Sequence, residues 1–173
     1  MSRQLTRHVV GRAADIEPGG RKLVQVAGRE IGVFNVKGAF YALANRCPHG
    51  GGSLCEGFVT GLSMAPRPGQ YELIREGEFL RCPLHGWEFE IATGQSYCDP
   101  KNTRLRTFNA SVAPGAELVK GPYMAESFEV RVEEEYVVIE VCGGSRQSAV
   151  GSKGLESAAC CQDQSHRPPN FPD

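Results

Sequence analysis

The chain has 173 residues, enough for one compact domain with a tail or an inserted loop, and its 40% hydrophobic and 23% charged content is that of an ordinary globular protein. Its 19 basic and 20 acidic side chains nearly cancel to a net charge of −1, which excludes a general attraction to nucleic acid or to an anionic membrane surface. No apolar run reaches the roughly 18 residues of a membrane-spanning helix, and residues 1–18 show neither the apolar core of a signal peptide nor a twin-arginine pair; the expectation is a cytoplasmic protein with no membrane partner.

Short strands separated by glycine-rich turns run along the chain. Residues 8–15 open with the apolar pair Val9-Val10, and Pro18-Gly19-Gly20 makes a turn. Leu23, Val24 and Val26 begin one strand, Ile31, Val33 and Phe34 a second, and Phe40 to Leu43, after the Lys37-Gly38 turn, a third that leads into Cys47. Residues 61–77, with Pro66, Pro68 and Gly69, read as an inserted loop or excursion hairpin. Phe79-Leu80 leads into Cys82, and Trp87, Phe89 and Ile91 alternate with glutamates until Thr93-Gly94. Residues 112–118 and 155–159 could each give a short helix. Alternation in residues 128–132 and again in 137–141 suggests a C-terminal hairpin. Residues 143–173, polar and rich in small residues, read as a flexible tail. The expected fold class is all-β, an antiparallel sandwich or barrel.

Seven cysteines in a chain without targeting signals favour metal binding or plain thiols over disulfides. Two of the four histidines lie within three residues of a cysteine: Cys47-Pro48-His49, followed by Gly50-Gly51-Gly52, and Cys82-Pro83-Leu84-His85, followed by Gly86-Trp87. Each box follows a strand and supplies one thiolate and one imidazole. Proline stiffens each loop, and glycine lets the backbone take positive φ and approach a cofactor closely. A tetrahedral zinc ion and a [2Fe–2S] cluster both accept two cysteines and two histidines.

The paired boxes CPHGG and CPLHGW resemble those of the Rieske iron–sulfur family, Cys-x-His and Cys-x-x-His. The flanks are similar too: Ser53-Leu54-Cys55-Glu56-Gly57 after the first box, and residues 87–95 after the second. The resemblance covers residues 8–141. It implies a Rieske fold in residues 1–142, with an antiparallel base and a small cluster-binding subdomain over residues 45–95. It also implies one [2Fe–2S] cluster per chain, with Cys47 and Cys82 on one iron and His49 and His85 on the outer iron. The boxes are separated by residues 50–81, more than is usual in the family, and the excess falls in residues 61–77.

High-potential Rieske proteins carry an additional cysteine in each box and a serine after the second His-Gly. Here those positions are Gly52, Leu84 and Trp87, so neither a disulfide nor a hydroxyl donor to the cluster is available. Their loss places the expected potential at the low end of the Rieske range, near roughly −150 mV. An oxygenase catalytic domain needs two histidines and a carboxylate on a second iron, and after the second box only His166 remains. The chain therefore resembles ferredoxins and small subunits of multicomponent oxygenases or reductases. On that resemblance it is an electron carrier without a catalytic site of its own, taking electrons from a reductase and passing them to an oxygenase or reductase. Two other readings stand beside it: an accessory or redox-sensing subunit, and a self-contained oxidoreductase.

Other residues have plainer expectations. Cys55 reads as a small buried apolar residue, Cys98, Cys142, Cys160 and Cys161 as thiols without a histidine at ligand spacing, and His8 as a surface strand residue. Trp87 and Tyr97 read as core or cluster-shielding rings, and Glu133-Glu134-Glu135 as a solvated turn.

Overall fold

A computed structural model describes residues 5–125, 130–131 and 133–142. Among these residues the β-branched and aromatic runs form ten strands in two sheets. The larger contains β1 (Leu5–Arg12), β2 (Arg21–Val26), β3 (Arg29–Val36), β4 (Ala39–Ala44), β8 (Thr107–Pro114), β9 (Tyr123–Ala125) and β10 (Glu135–Cys142). They lie in the order β2-β3-β4-β8-β10-β1-β9, antiparallel except for the parallel pair β1–β9. Two tight turns set the register of β2–β4. Ala27 and Gly28 have φ of 49° and 71°, and Lys37 and Gly38 have 53° and 93°, the positive-φ pairs that match the twist of a hairpin. Asn35 fixes the second of these turns by donating to the Ile16 carbonyl (2.7 Å) and accepting from the Gly38 N–H (2.8 Å).

Val26, Ile31, Val33 and Ala42 from β2–β4 share one core with Val10, Val137, Ile139 and Val141 from β1 and β10. Strands from both halves of the sheet meet in that core, so the sheet is rolled on itself. β4 and β8 join through only two residue pairs, Ala42–Phe108 and Leu43–Thr107, which is where the roll turns.

The smaller sheet holds β5 (Phe58–Arg67), β6 (Gln70–Arg81) and β7 (Glu88–Glu90), in that order. It shares a second core with the end of the larger sheet: Phe34, Leu43, Cys47, Leu54, Leu80, Cys82, Phe89, Ile91 and Leu105. Both box cysteines belong to this core. Gly57 sits where a Cβ would fall 2.1 Å from the Arg81 carbonyl oxygen, so the close approach of β5 to β6 requires glycine there.

Of the two forms expected for the insertion at residues 61–77, it takes the hairpin: β5 and β6 remain paired out to Arg67–Gln70. Its pairing jumps from Thr60–Phe79 to Leu62–Ile74, leaving residues 75–78 as a bulge. Arg75 (φ 52°) ties that bulge down through ion pairs with Glu78 and Glu90 and by lying over the Phe79 ring, 4.9 Å from its centroid. Beyond the joint, Met64, Tyr71, Leu73 and Ile74 are exposed.

Two expectations change. Of the expected C-terminal hairpin, residues 128, 129 and 132 lie outside the described residues, and β10 pairs with β8 and β1. Residues 112–114 extend β8, because Val112, Ala113 and Pro114 pair with Val137, Tyr136 and Glu135; only Gly115–Leu118 turns helical. His8 is buried, since β1 is covered by β10 on one side and β9 on the other, and its Nδ1 has no hydrogen-bond partner among the described residues. The tail at 143–173, with Cys160, Cys161, His166 and the expected helix at 155–159, lies outside the described residues.

Ile139 is fully buried in the core that closes the roll. Ile139→Ala should therefore destabilise the protein by about 2–5 kcal/mol, whereas Tyr71→Ser at the exposed hairpin should change stability by less than about 0.5 kcal/mol. Denaturant titration of both variants measures the difference.

Candidate metal centre

Each box forms the same hydrogen-bonded loop. In the first, the Cys47 N–H donates to the Gly52 carbonyl (2.9 Å) and the Gly51 N–H to the Cys47 carbonyl (2.8 Å). In the second, the Cys82 N–H donates to the Trp87 carbonyl (2.8 Å) and the Gly86 N–H to the Cys82 carbonyl (3.0 Å). Gly51 and Gly86 occupy equivalent places, with φ of 75° and 71°, which only glycine takes without strain. The loops hang from equivalent supports: β4 leads into the first, and β6 leads into the second, which β7 follows.

The two loops interlock. A Cβ on Gly50 would stand 3.2 Å from the His85 ring, and one on Gly52 would stand 2.9 Å from Leu84 Cγ and 3.1 Å from Cys82 Sγ. The glycines of the first loop thus leave the room that the second loop's side chains fill. Asn45 fixes the first loop from behind: its Oδ1 accepts the Cys55 N–H (2.7 Å), and its backbone N–H bonds the Glu30 carbonyl (3.0 Å).

Cys47 and Cys82 are free thiols, 2% and 3% exposed, while His49 and His85 are exposed at the surface. The histidine rings meet edge to face, with centroids 5.0 Å apart. Burial pushes the Cys47 thiol above its ordinary range; the backbone N–H groups of His49 and Gly50 oppose that shift, and the neighbouring Cys82 thiol adds to it. Two buried soft donors, backbone N–H groups aimed at sulfur, and two imidazoles on the solvent side fit the [2Fe–2S] donor set. Cys47 and Cys82 lie side by side in the core, and His49 and His85 meet at the surface.

The Rieske [2Fe-2S] domain matches residues 6–109. The chain belongs to the Rieske [2Fe–2S] family. It is 31% identical over 98 residues to the ferredoxin component of the naphthalene 1,2-dioxygenase/salicylate 5-hydroxylase systems of a Ralstonia species, covering 57% of this chain and 79% of that protein. It is 30% identical over 110 residues to the ferredoxin CarAc of Metapseudomonas resinovorans, covering 63% and 88%. Among solved structures, a reduced oxygenase–ferredoxin complex of carbazole 1,9a-dioxygenase matches 81% of this Rieske chain and 29% of that chain, with TM-score 0.52 and 16% identity, a likeness of fold. No helix among the described residues is long and apolar enough to cross a membrane.

The remaining singled-out residues sort by environment. Trp87 lies flat on the His49 ring, as a shielding ring should. Tyr97 does not shield the centre: it packs edge-on against Phe79 (4.9 Å) and accepts a hydrogen bond from Arg75 at the hairpin joint. Cys98 is exposed, and its sulfur accepts the Glu88 N–H (3.5 Å). Cys55 packs against the second core, where burial pushes its thiol up to about 11. Sequence reading missed Asn45, whose Asn-Arg-Cys context carries no signal of its role as a loop anchor.

Two predictions follow from this packing. Gly52→Ala should lower cluster content severalfold, and adding Leu84→Ala should restore part of it by clearing the clash; iron per folded chain in the single and double variants measures the coupling. At pH 8 only roughly one Cys55 in a thousand is thiolate when its pKa is about 11. Iodoacetamide should therefore label Cys98 well before Cys55 in the native protein, and both alike after denaturation, as mass spectrometry of the peptides would show.

Proposed function

We propose that the chain carries one [2Fe–2S] cluster between the two loops, held by Cys47 and Cys82 on the inner iron and by His49 and His85 on the outer iron. The observation that supports this most is the pair of loops with one hydrogen-bond pattern, which presents two buried thiols and two exposed imidazoles in a member of the Rieske family. When bound, such a cluster supplies a one-electron couple.

The protein's residues do the rest. The buried thiols anchor the inner side in the core shared by the two sheets, and the loop N–H groups stabilise negative charge on sulfur. The exposed imidazoles bring the outer side to the surface, where a protein partner can approach. The interlocked loops resist rearrangement, so little reorganisation accompanies a change of charge. The chain thus serves as the ferredoxin component or small subunit of a multicomponent oxygenase or reductase, accepting electrons from a reductase and delivering them to the terminal enzyme. The related ferredoxin component of the naphthalene 1,2-dioxygenase/salicylate 5-hydroxylase systems supports that assignment. With Gly52, Leu84 and Trp87 in place of the disulfide and the serine donor, the potential belongs at the low end of the Rieske range, near roughly −150 mV.

We assign residues 1–142 to one Rieske domain, with residues 45–95 as its cluster-binding part and 61–77 as an insertion within that part. Cys47, Cys55, Cys82 and Cys98 are free thiols, which suits the reducing cytoplasm.

The test is elemental and spectroscopic. Purified protein should contain two irons and two acid-labile sulfides per chain. His49→Ala and His85→Ala should each abolish the native electron-spin signal of the reduced protein, and Cys55→Ala should keep it. A single zinc without sulfide, or loss of the signal in the Cys55 variant alone, would overturn the ligand assignment.

A further inference from the structure

We propose that Trp87 is a positioning residue for His49: the indole of the second loop clamps the imidazole of the first in one orientation and covers one of its faces. The two outer imidazoles are therefore held unequally. This inference rests on the ligand assignment above.

The geometry is specific. The Trp87 and His49 rings lie 4.3 Å apart and only 15° from parallel, a face-to-face stack. His85 meets His49 edge-on, at 5.0 Å and 89°, and no ring among the described residues stacks on it in this way. Trp87 is itself braced from behind, packing against the second core with the Phe89 ring 6.4 Å away at 31°. A ring anchored in that core thus holds a side chain on an exposed turn that would otherwise sample several rotamers.

The equivalence of the two loops shows why the device works in one direction. The residue of the first loop that matches Trp87 is Gly52, since each offers the carbonyl that accepts the N–H of its loop's cysteine. Gly52 has no side chain to lay on His85, and the space beside it is taken by Leu84 and Cys82 Sγ. The second loop therefore supplies a ring, whereas the equivalent place in the first supplies clearance for Leu84 and Cys82. His49 can reach its orientation only when the second loop is folded against the first.

The contribution separates from simple packing because a flat face and an apolar volume are different things. Trp87→Phe keeps a ring that can stack on His49. Trp87→Leu keeps apolar volume against the core but offers no face. Pulsed electron-spin spectroscopy of the reduced holoprotein reads the two coordinated nitrogens separately. Chelator-driven iron release reads the protection of the site.

Trp87→Phe should preserve both nitrogen couplings and the release rate. Trp87→Leu should shift one nitrogen coupling, leave the other in place and accelerate iron release severalfold. The same behaviour in both variants, in either direction, would overturn the role of the ring face, and so would a joint shift of both nitrogens in Trp87→Leu. If wild-type protein showed no pair of nitrogen couplings, the ligand assignment itself would fall, and the clamp with it.

Discussion

Everything at the candidate centre depends on the mutual fit of two short loops. Gly50 and Gly52 are bare because His85, Leu84 and Cys82 occupy the space their side chains would need. This constraint is steric, and it is firmest at Gly52, where the buried Cys82 Sγ would stand 3.1 Å from an added Cβ. It also makes the two loops one unit. Their cysteines share a core with Phe34, Leu43, Leu80 and Phe89, so the larger sheet, the smaller sheet and both loops must come together for the donors to converge.

The division between buried thiols and exposed imidazoles follows from this arrangement. The cysteines open their loops, directly after the strand or bridge that supports them, and fall into the core. The histidines lie two and three residues further along, where each loop has turned outward. An electron carrier needs this polarity, with a rigid apolar base that limits reorganisation and an outer side that a partner can reach. Trp87 belongs to the same logic, because it ties an outward-facing ring to the inward-facing core.

The two loops were legible in the sequence because their signals are local. Cysteine, histidine, proline and glycine at fixed offsets determine a loop's chemistry and its backbone freedom together. The strands of the rolled sheet were legible by alternation, and the Lys37-Gly38 turn by its glycine. What stayed hidden depends on pairing between distant segments. His8 looked like a surface residue beside Arg7, and only its position between β10 and the parallel strand β9 buries it. Residues 112–114 looked helical until their pairing with Glu135, Tyr136 and Val137. In the insertion, Pro66, Pro68 and Gly69 left a loop and an excursion hairpin both open, and the long-range pairing of β5 with β6 selects the hairpin. The bulge at 75–78 and its Arg75 ion pairs have no local signature at all.

The central claim is that two thiolates and two imidazoles hold two irons in different environments. Mössbauer spectroscopy of protein loaded with iron-57 tests it most directly, since each iron reports its own ligands. The account predicts two quadrupole doublets of equal area in the oxidised protein, one from the sulfur-ligated iron and one from the nitrogen-ligated iron, with the added electron appearing on the nitrogen-ligated iron after reduction. A single doublet from two equivalent irons would contradict it.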